Sequence, residues 1–244
     1  MAIYPSQFMA AGSPNANEAE QAHAERSGPR RRSDTRGGAG AVRPRRLIRG
    51  VGVFNPMAKI HNAKVKELQR AMRALGERLD KGDESSLFVE VIPGRLMCSY
   101  RPLRRHHNPD FRGPQRDLPA EAAPALLDWT QKMRTAGIQA IICLMGPAEL
   151  VHYKAVVSVL GATDLVGLYV GHGFEVCTIP WEDPLYRVGQ GGRSYEDQLL
   201  EVREQCLRAF DALPKPVLLH CSSGIQRSSQ VAAFIYSQRC DDDA

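Results

Sequence analysis

The stretch VLLHCSSGIQRSSQVAAFIY, residues 217–236, brings a nucleophile and a cation onto one turn. VLLH reads as the end of a buried strand, and the residues from Arg227 onward read as a helix. A loop that leaves a strand and opens a helix gathers backbone N–H groups into one concavity, where the helix dipole adds positive potential. Cys221 at the head of such a loop is expected to be held as a thiolate, with a pKa of about 3.5–7.5 against about 8.5 for a free cysteine. Gly224 suits a backbone that curls tightly around a ligand. Arg227 carries a planar fork that matches two oxygens of a tetrahedral oxyanion, a geometry lysine cannot offer. Ser228 can donate a hydrogen bond to the sulfur and ease its departure. His220 can orient the loop and favour the thiolate, the alternative being a buried histidine satisfied by its neighbours. The implied chemistry is attack by sulfur on an oxyanion cradled by Ser222, Ser223, Gly224, Ile225, Gln226 and Arg227.

The spacing of cysteine and arginine is weak evidence alone, because Cys98-Ser-Tyr-Arg-Pro-Leu-Arg104 repeats it. That copy lacks the preceding His and the Gly, contains Pro102 and opens onto no helix, so it is read as chance. His220-Cys221-Ser222-Ser223-Gly224-Ile225-Gln226-Arg227-Ser228 resembles the signature loop of the cysteine-dependent protein tyrosine phosphatase superfamily. Its compact spacing is most similar to the dual-specificity branch. The resemblance implies a general acid on a separate loop upstream, after a strand that ends in an Ile-Pro turn. TIPWEDP (178–184) fits, and the family order selects Asp183 over the competing Glu182; the alternative for Asp183 is a turn residue before Pro184. FVEVIPGRLMCS is similar to the family's opening hairpin and MRTAGIQAIICL to its helix–Gly–strand segment, so the resemblance covers roughly 86–239. Gln226 and Ser223 are less common choices in that loop. Family domains usually continue with further helices behind the loop helix, so either the chain is a fragment or residues 55–82 supply that support.

What the resemblance implies is a phosphatase that works through a cysteinyl-phosphate intermediate with neither metal nor cofactor. The uncharged side chains at 222, 223, 225 and 226 favour phosphotyrosine, phosphoserine or phosphothreonine in a protein partner. A phosphoinositide, an RNA 5′-phosphate or a small metabolite is the alternative substrate. Two other readings stand beside it: a sulfurtransferase or arsenate-reductase-like enzyme, and a pseudophosphatase that binds phosphate without turnover. The basic loop Arg101–Arg105, with His106 and His107, is read as a solvated surface loop, the alternative being contact with an acidic substrate.

The elements that must position this loop alternate along the chain. LFVEV and RLMCS read as short strands broken at Pro93-Gly94, IQAIICLM (138–145) as a strand buried on both faces, FEVCTIPW (174–181) as another, and KPVLLHC as the last. Helices are expected from Pro124, over about 147–160, in 162–168, over 194–213 and after Arg227. This alternation predicts an α/β domain over 86–240 with a central, mainly parallel sheet and helices on both faces, as in dual-specificity phosphatases. Ahead of it, residues 51–85 read as an amphipathic helical extension. Val65, Leu68, Met72, Leu75 and Leu79 form one apolar stripe, which is expected to pack on its own domain rather than on a second copy.

The charge is confined to one end. Residues 1–50 hold nine Arg, no Lys and four acidic residues, and the rest of the chain balances to zero, so the net +5 belongs to a disordered basic arm. The folded part therefore shows no electrostatic footprint for nucleic acid. No stretch approaches the ~20 apolar residues that span a bilayer. The first residues carry no secretory signal. The six cysteines show no CxxC pairing, which fits free thiols in the cytoplasm, with the Arg-rich arm as a route to the nucleus.

Overall fold

A computed structural model of the 244-residue chain describes residues 56–113, 116–181 and 195–240. The arm expected over 1–50 and both acid candidates, Glu182 and Asp183, lie outside the described residues. The hairpin at Pro93-Gly94 forms as the sequence predicts. β1 (Phe88–Ile92) and β2 (Leu96–Ser99) pair antiparallel, and Gly94 takes φ +64° with its N–H donating to Glu90 at 2.7 Å. β3 (Ala140–Cys143), β4 (Glu175–Thr178) and β5 (Val217–His220) follow. The order across the sheet is β1-β2-β5-β3-β4, and every contact except β1–β2 is parallel.

β5 is last in sequence and central in space. It separates β2 from β3, and its residues VLLH are wholly buried, as are LMCS and AIIC on either side. Alternate strand residues serve two cores. Cys98, Ile142 and Leu219 face one, Met97, Ile141 and Leu218 the other. The second core is closed by α2 (Ala123–Thr135), α4 (Lys154–Val159) and α5 (Leu165–Gly171), through Leu126, Met133, Val156, Val157 and Tyr169. The first is closed by α1 (Pro56–Asp80), α6 (Tyr195–Ala212) and α7 (Arg227–Arg239). The expected α/β sheet with helices on both faces is what the chain forms.

Two boundaries differ from the sequence reading. The helix expected over about 147–160 breaks into α3 (Pro147–Leu150), a 3₁₀ turn at Val151–Tyr153 and α4, and α5 is restarted by Asp164, whose carboxylate accepts the Gly167 N–H at 2.7 Å. β4 stops at Thr178 rather than running to Trp181, because Pro180 has no N–H to give the ladder. Pairing nonetheless continues around it, with the amides of Ile179 and Trp181 bonded to the Cys143 and Leu144 carbonyls.

The stripe on α1 is buried in the same core as the sheet. Val65, Leu68, Met72, Leu75 and Leu79 are all at most 7% exposed, and α1 lies against α7. Gly76 lets this helix approach closely: a Cβ there would sit 2.5 Å from the Tyr100 hydroxyl, which donates to the Met72 carbonyl. Arg203 of α6 donates to Gln230 of α7 at 2.6 Å and also reaches His61 of α1, which links the three helices. The support expected of residues 55–82 is seen in α1, which packs directly on the loop helix α7. Leu68→Ala is expected to cost about 2–5 kcal/mol of stability. Urea unfolding measures it, and a loss below about 1 kcal/mol would show that α1 is not part of the core.

Candidate functional site

Four parallel strands end on one rim of the sheet, and each releases a loop there: Tyr100 onward from β2, Leu144 onward from β3, Ile179 onward from β4 and Cys221 onward from β5. In open α/β sheets a crevice outside the carboxyl ends of the strands is where ligands bind. The predicted cysteine loop, from Cys221 to the start of α7 at Arg227, lies there. Cys221 is fully buried, and the loop curls back so that the Gly224 N–H donates to the Cys221 sulfur at 3.2 Å. Gly224 takes φ +63°, and a Cβ there would fall 2.5 Å from Met72 Cε and 2.6 Å from the Ser99 carbonyl oxygen. Only glycine fits a turn pressed so closely on β2 and α1. Its carbonyl points the other way, accepting from Ser229 Oγ at 3.4 Å and from Cys98 Sγ at 3.8 Å. Ser222, Ser223 and Ile225 are half-buried and Gln226 is exposed. Ser228 Oγ is buried beside the Cys98 thiol without a hydrogen bond of good geometry among the described residues.

Arg227 opens α7 and is 3% exposed. Its fork meets Glu149 in a bidentate pair, Nη2 to Oε1 at 2.6 Å and Nη1 to Oε2 at 2.7 Å. Nη1 also donates to the carbonyl of Trp181 and, at 3.4 Å, to that of Leu144. The loop after β5 is thereby joined to the loops after β3 and β4. Glu149, itself 3% exposed, also accepts from the Gly146 amide at 3.2 Å. Sequence reasoning missed Glu149. Its one signal is a lone carboxylate a few residues beyond a doubly buried strand, and that position acquires meaning only once β3 is known to neighbour β5.

His220 resolves in favour of the neutral alternative. Fully buried in the core, it has its pKa pushed down to about 4 by burial, against a usual 6.5. Nδ1 bonds the Cys221 carbonyl at 3.3 Å, which requires the proton there, so Nε2 accepts from the Tyr169 hydroxyl at 3.2 Å. The histidine orients the loop by hydrogen bonding and carries no charge at neutral pH. Burial also raises the pKa values of Cys98, Cys143 (to about 12), Cys177 and Cys206, so these thiols stay protonated.

The loop 101–105 is more buried than its composition implies. Arg101 is 3% exposed, and its guanidinium donates to Tyr153 Oη at 2.8 Å and to the Gly113 carbonyl at 2.7 Å. Its backbone N–H donates to the Ser222 carbonyl at 3.3 Å, so this loop rests on the cysteine loop. The Cys98–Arg104 repeat of the spacing starts no helix, as expected, yet it flanks Cys221. No protein-family model matches the chain, and no curated protein matches it.

Two outcomes test this geometry. The unfolded chain takes up a proton on residue 220 near pH 6.5 and the folded chain only near 4. Stability therefore falls as pH drops from about 6.5 to 4 and levels off below, by as much as about 3 kcal/mol. His220→Asn should remove that part of the slope in denaturation series across this range. Glu149→Gln leaves a buried guanidinium without its counter-charge and is expected to lose about 3–5 kcal/mol. Wild-type stability in that variant would mean the pair carries no structural load.

Proposed function

We propose that the chain is a cysteine-dependent phosphatase of the dual-specificity kind, hydrolysing phosphotyrosine, phosphoserine or phosphothreonine in a protein partner. The observation that carries this reading is the Gly224 amide aimed at the Cys221 sulfur in a loop that opens α7, with Arg227 buried at its far end. The Cys221 thiolate attacks phosphorus, and the bond from phosphorus to the substrate oxygen breaks to leave a cysteinyl-phosphate. Asp183 gives its proton to the departing oxygen. It follows two residues after Trp181, whose amide is bonded to the Leu144 carbonyl and whose carbonyl accepts from Arg227, so the chain leaves toward Asp183 from a fixed point on the rim. Water then attacks the phosphorus, Asp183 takes its proton, and phosphate leaves with the thiolate restored. Loop amides act on the equatorial oxygens as charge shifts between sulfur and the leaving oxygen, while Arg227, its fork taken by Glu149, anchors the far end of the loop.

Ser222, Ser223, Ile225 and Gln226 add no charge to the loop, which supports a single phosphate on a protein side chain over a polyphosphorylated headgroup held by loop lysines. The reaction as written calls on no metal or cofactor. No helix among the described residues is long and apolar enough to cross a membrane, and the cytoplasm, with the nucleus reached through the Arg-rich arm, is the proposed place of action.

Hydrolysis of a generic aryl phosphate tests the reading. Wild type should turn it over, Cys221→Ser should abolish turnover, and Asp183→Ala should slow it by about 10²–10⁴-fold. Equal rates in all three, or an inactive wild type, would overturn it.

A further inference from the structure

Among the described residues, Arg104 has no carboxylate partner. Its Nη1 is buried and makes no hydrogen bond to any of them, although the side chain as a whole is only half-buried. The nearby carboxylate is taken: Asp80 pairs with Arg105 at 2.8 Å and with Arg112 at 3.5 Å. Arg104, Arg105, Arg112, Asp80 and Gly113 line an open pocket of about 300 Å³, which brings together three guanidinium groups and one carboxylate. The pocket borders the loop that rests on Ser222 through the Arg101 amide. The turn that presents Arg104 is costly. Leu103 is 5% exposed and takes φ +61°, a left-handed conformation that side chains other than glycine rarely adopt, and the Arg104 amide closes the turn on the Arg101 carbonyl at 3.2 Å. Burial first, and then the flanking charges of Arg101 and Arg105, push the Arg104 pKa down.

We propose that Arg104 forms a second anion subsite beside the cysteine loop, and that the substrate is a phosphopeptide with an acidic side chain close to the phosphoresidue. The proposal rests on the phosphatase reading of Cys221 and adds the substrate's second charge. A carboxylate or a second phosphate seated there meets a pocket in which three guanidinium groups outnumber one carboxylate, and a guanidinium fork is suited to bidentate pairing. The pocket is open and its three arginines are half-buried, so an extended peptide chain can cross it while its phosphoresidue enters the loop.

The test compares kcat/KM for two phosphopeptides that differ only in whether Gln or Glu residues flank the phosphoresidue. Wild type should favour the acidic peptide about tenfold, the scale of one charge-assisted hydrogen bond, and the preference should weaken as salt rises. Arg104→Gln should bring the ratio to about one, and Arg104→Lys, which keeps the charge and loses the fork, should fall between. Aryl phosphate hydrolysis by wild type separates the two readings: its absence removes the phosphatase, while turnover without an acidic preference removes the subsite and leaves the phosphatase. That second measurement needs wild type alone, so it decides even where Arg104→Gln does not fold. An equal preference in wild type and Arg104→Gln, or an Arg104-dependent preference for a soluble inositol polyphosphate over both peptides, would overturn the peptide proposal.

Discussion

A guanidinium buried to 3% exposure cannot stand alone in the rim of this sheet, and the pairing of Arg227 with Glu149 is the constraint that the loops around it obey. An uncompensated charge in the interior costs several kcal/mol, so the two side chains are held to one geometry by their mutual need. Arg227 belongs to the first turn of α7, Glu149 to α3, and the Trp181 carbonyl that Arg227 also engages follows β4. One side chain thus fixes the relative positions of three strand ends. It also sets where the chain departs toward residues 182 and 183.

The cysteine loop is fixed from beneath by a second constraint, contact rather than charge. Gly224 is pressed against the Ser99 carbonyl and Met72 Cε, with the Cys98 thiol and the Ser229 hydroxyl bonded to its carbonyl. The Gly224 N–H lies in the preceding peptide plane, and with φ at +63° it comes to the sulfur while the carbonyl faces Cys98 and Ser229. Helix α1 is therefore tied to the loop itself as well as to α7: Met72 touches the loop, and the Met72 carbonyl receives the Tyr100 hydroxyl at the start of the neighbouring loop. An element that reads in sequence as an extension ahead of the domain is part of the platform under Cys221.

The strand–loop–helix around Cys221 was legible because a short continuous apolar run, the Gly and the start of a 3.6-residue period all fall within twenty residues. The α/β class was legible for the same reason, and so was the α1 stripe, every member of which is buried. Glu149 was not, because its role depends on β3 lying beside β5, a pairing of residues about eighty positions apart. The break at Val151–Tyr153 was hidden inside a run whose composition suits a longer helix. Arg101 read as a surface residue because arginine-rich loops are usually solvated; it is buried by Tyr153, whose position comes from a turn fifty residues away.

The net charge around the sulfur follows from these pairings. Arg227 and Glu149 cancel, His220 is neutral, and Cys98 and Cys143 stay protonated. With those contributions removed, what can attract an anion to Cys221 is the loop amides, the dipole of α7 and the guanidinium groups that β2 delivers to the same rim. The amides and dipole act within about one turn, close enough to seat a single phosphate and too short-ranged to sense its surroundings. Arg101 spends its donors on Tyr153 and Gly113 and Arg105 meets Asp80, while Arg104 Nη1 and Arg105 Nε are buried without an acceptor among the described residues. On the proposed phosphatase reading, discrimination among phosphorylated partners would fall to the arginine loop, while the cysteine loop is left with the chemistry common to all of them.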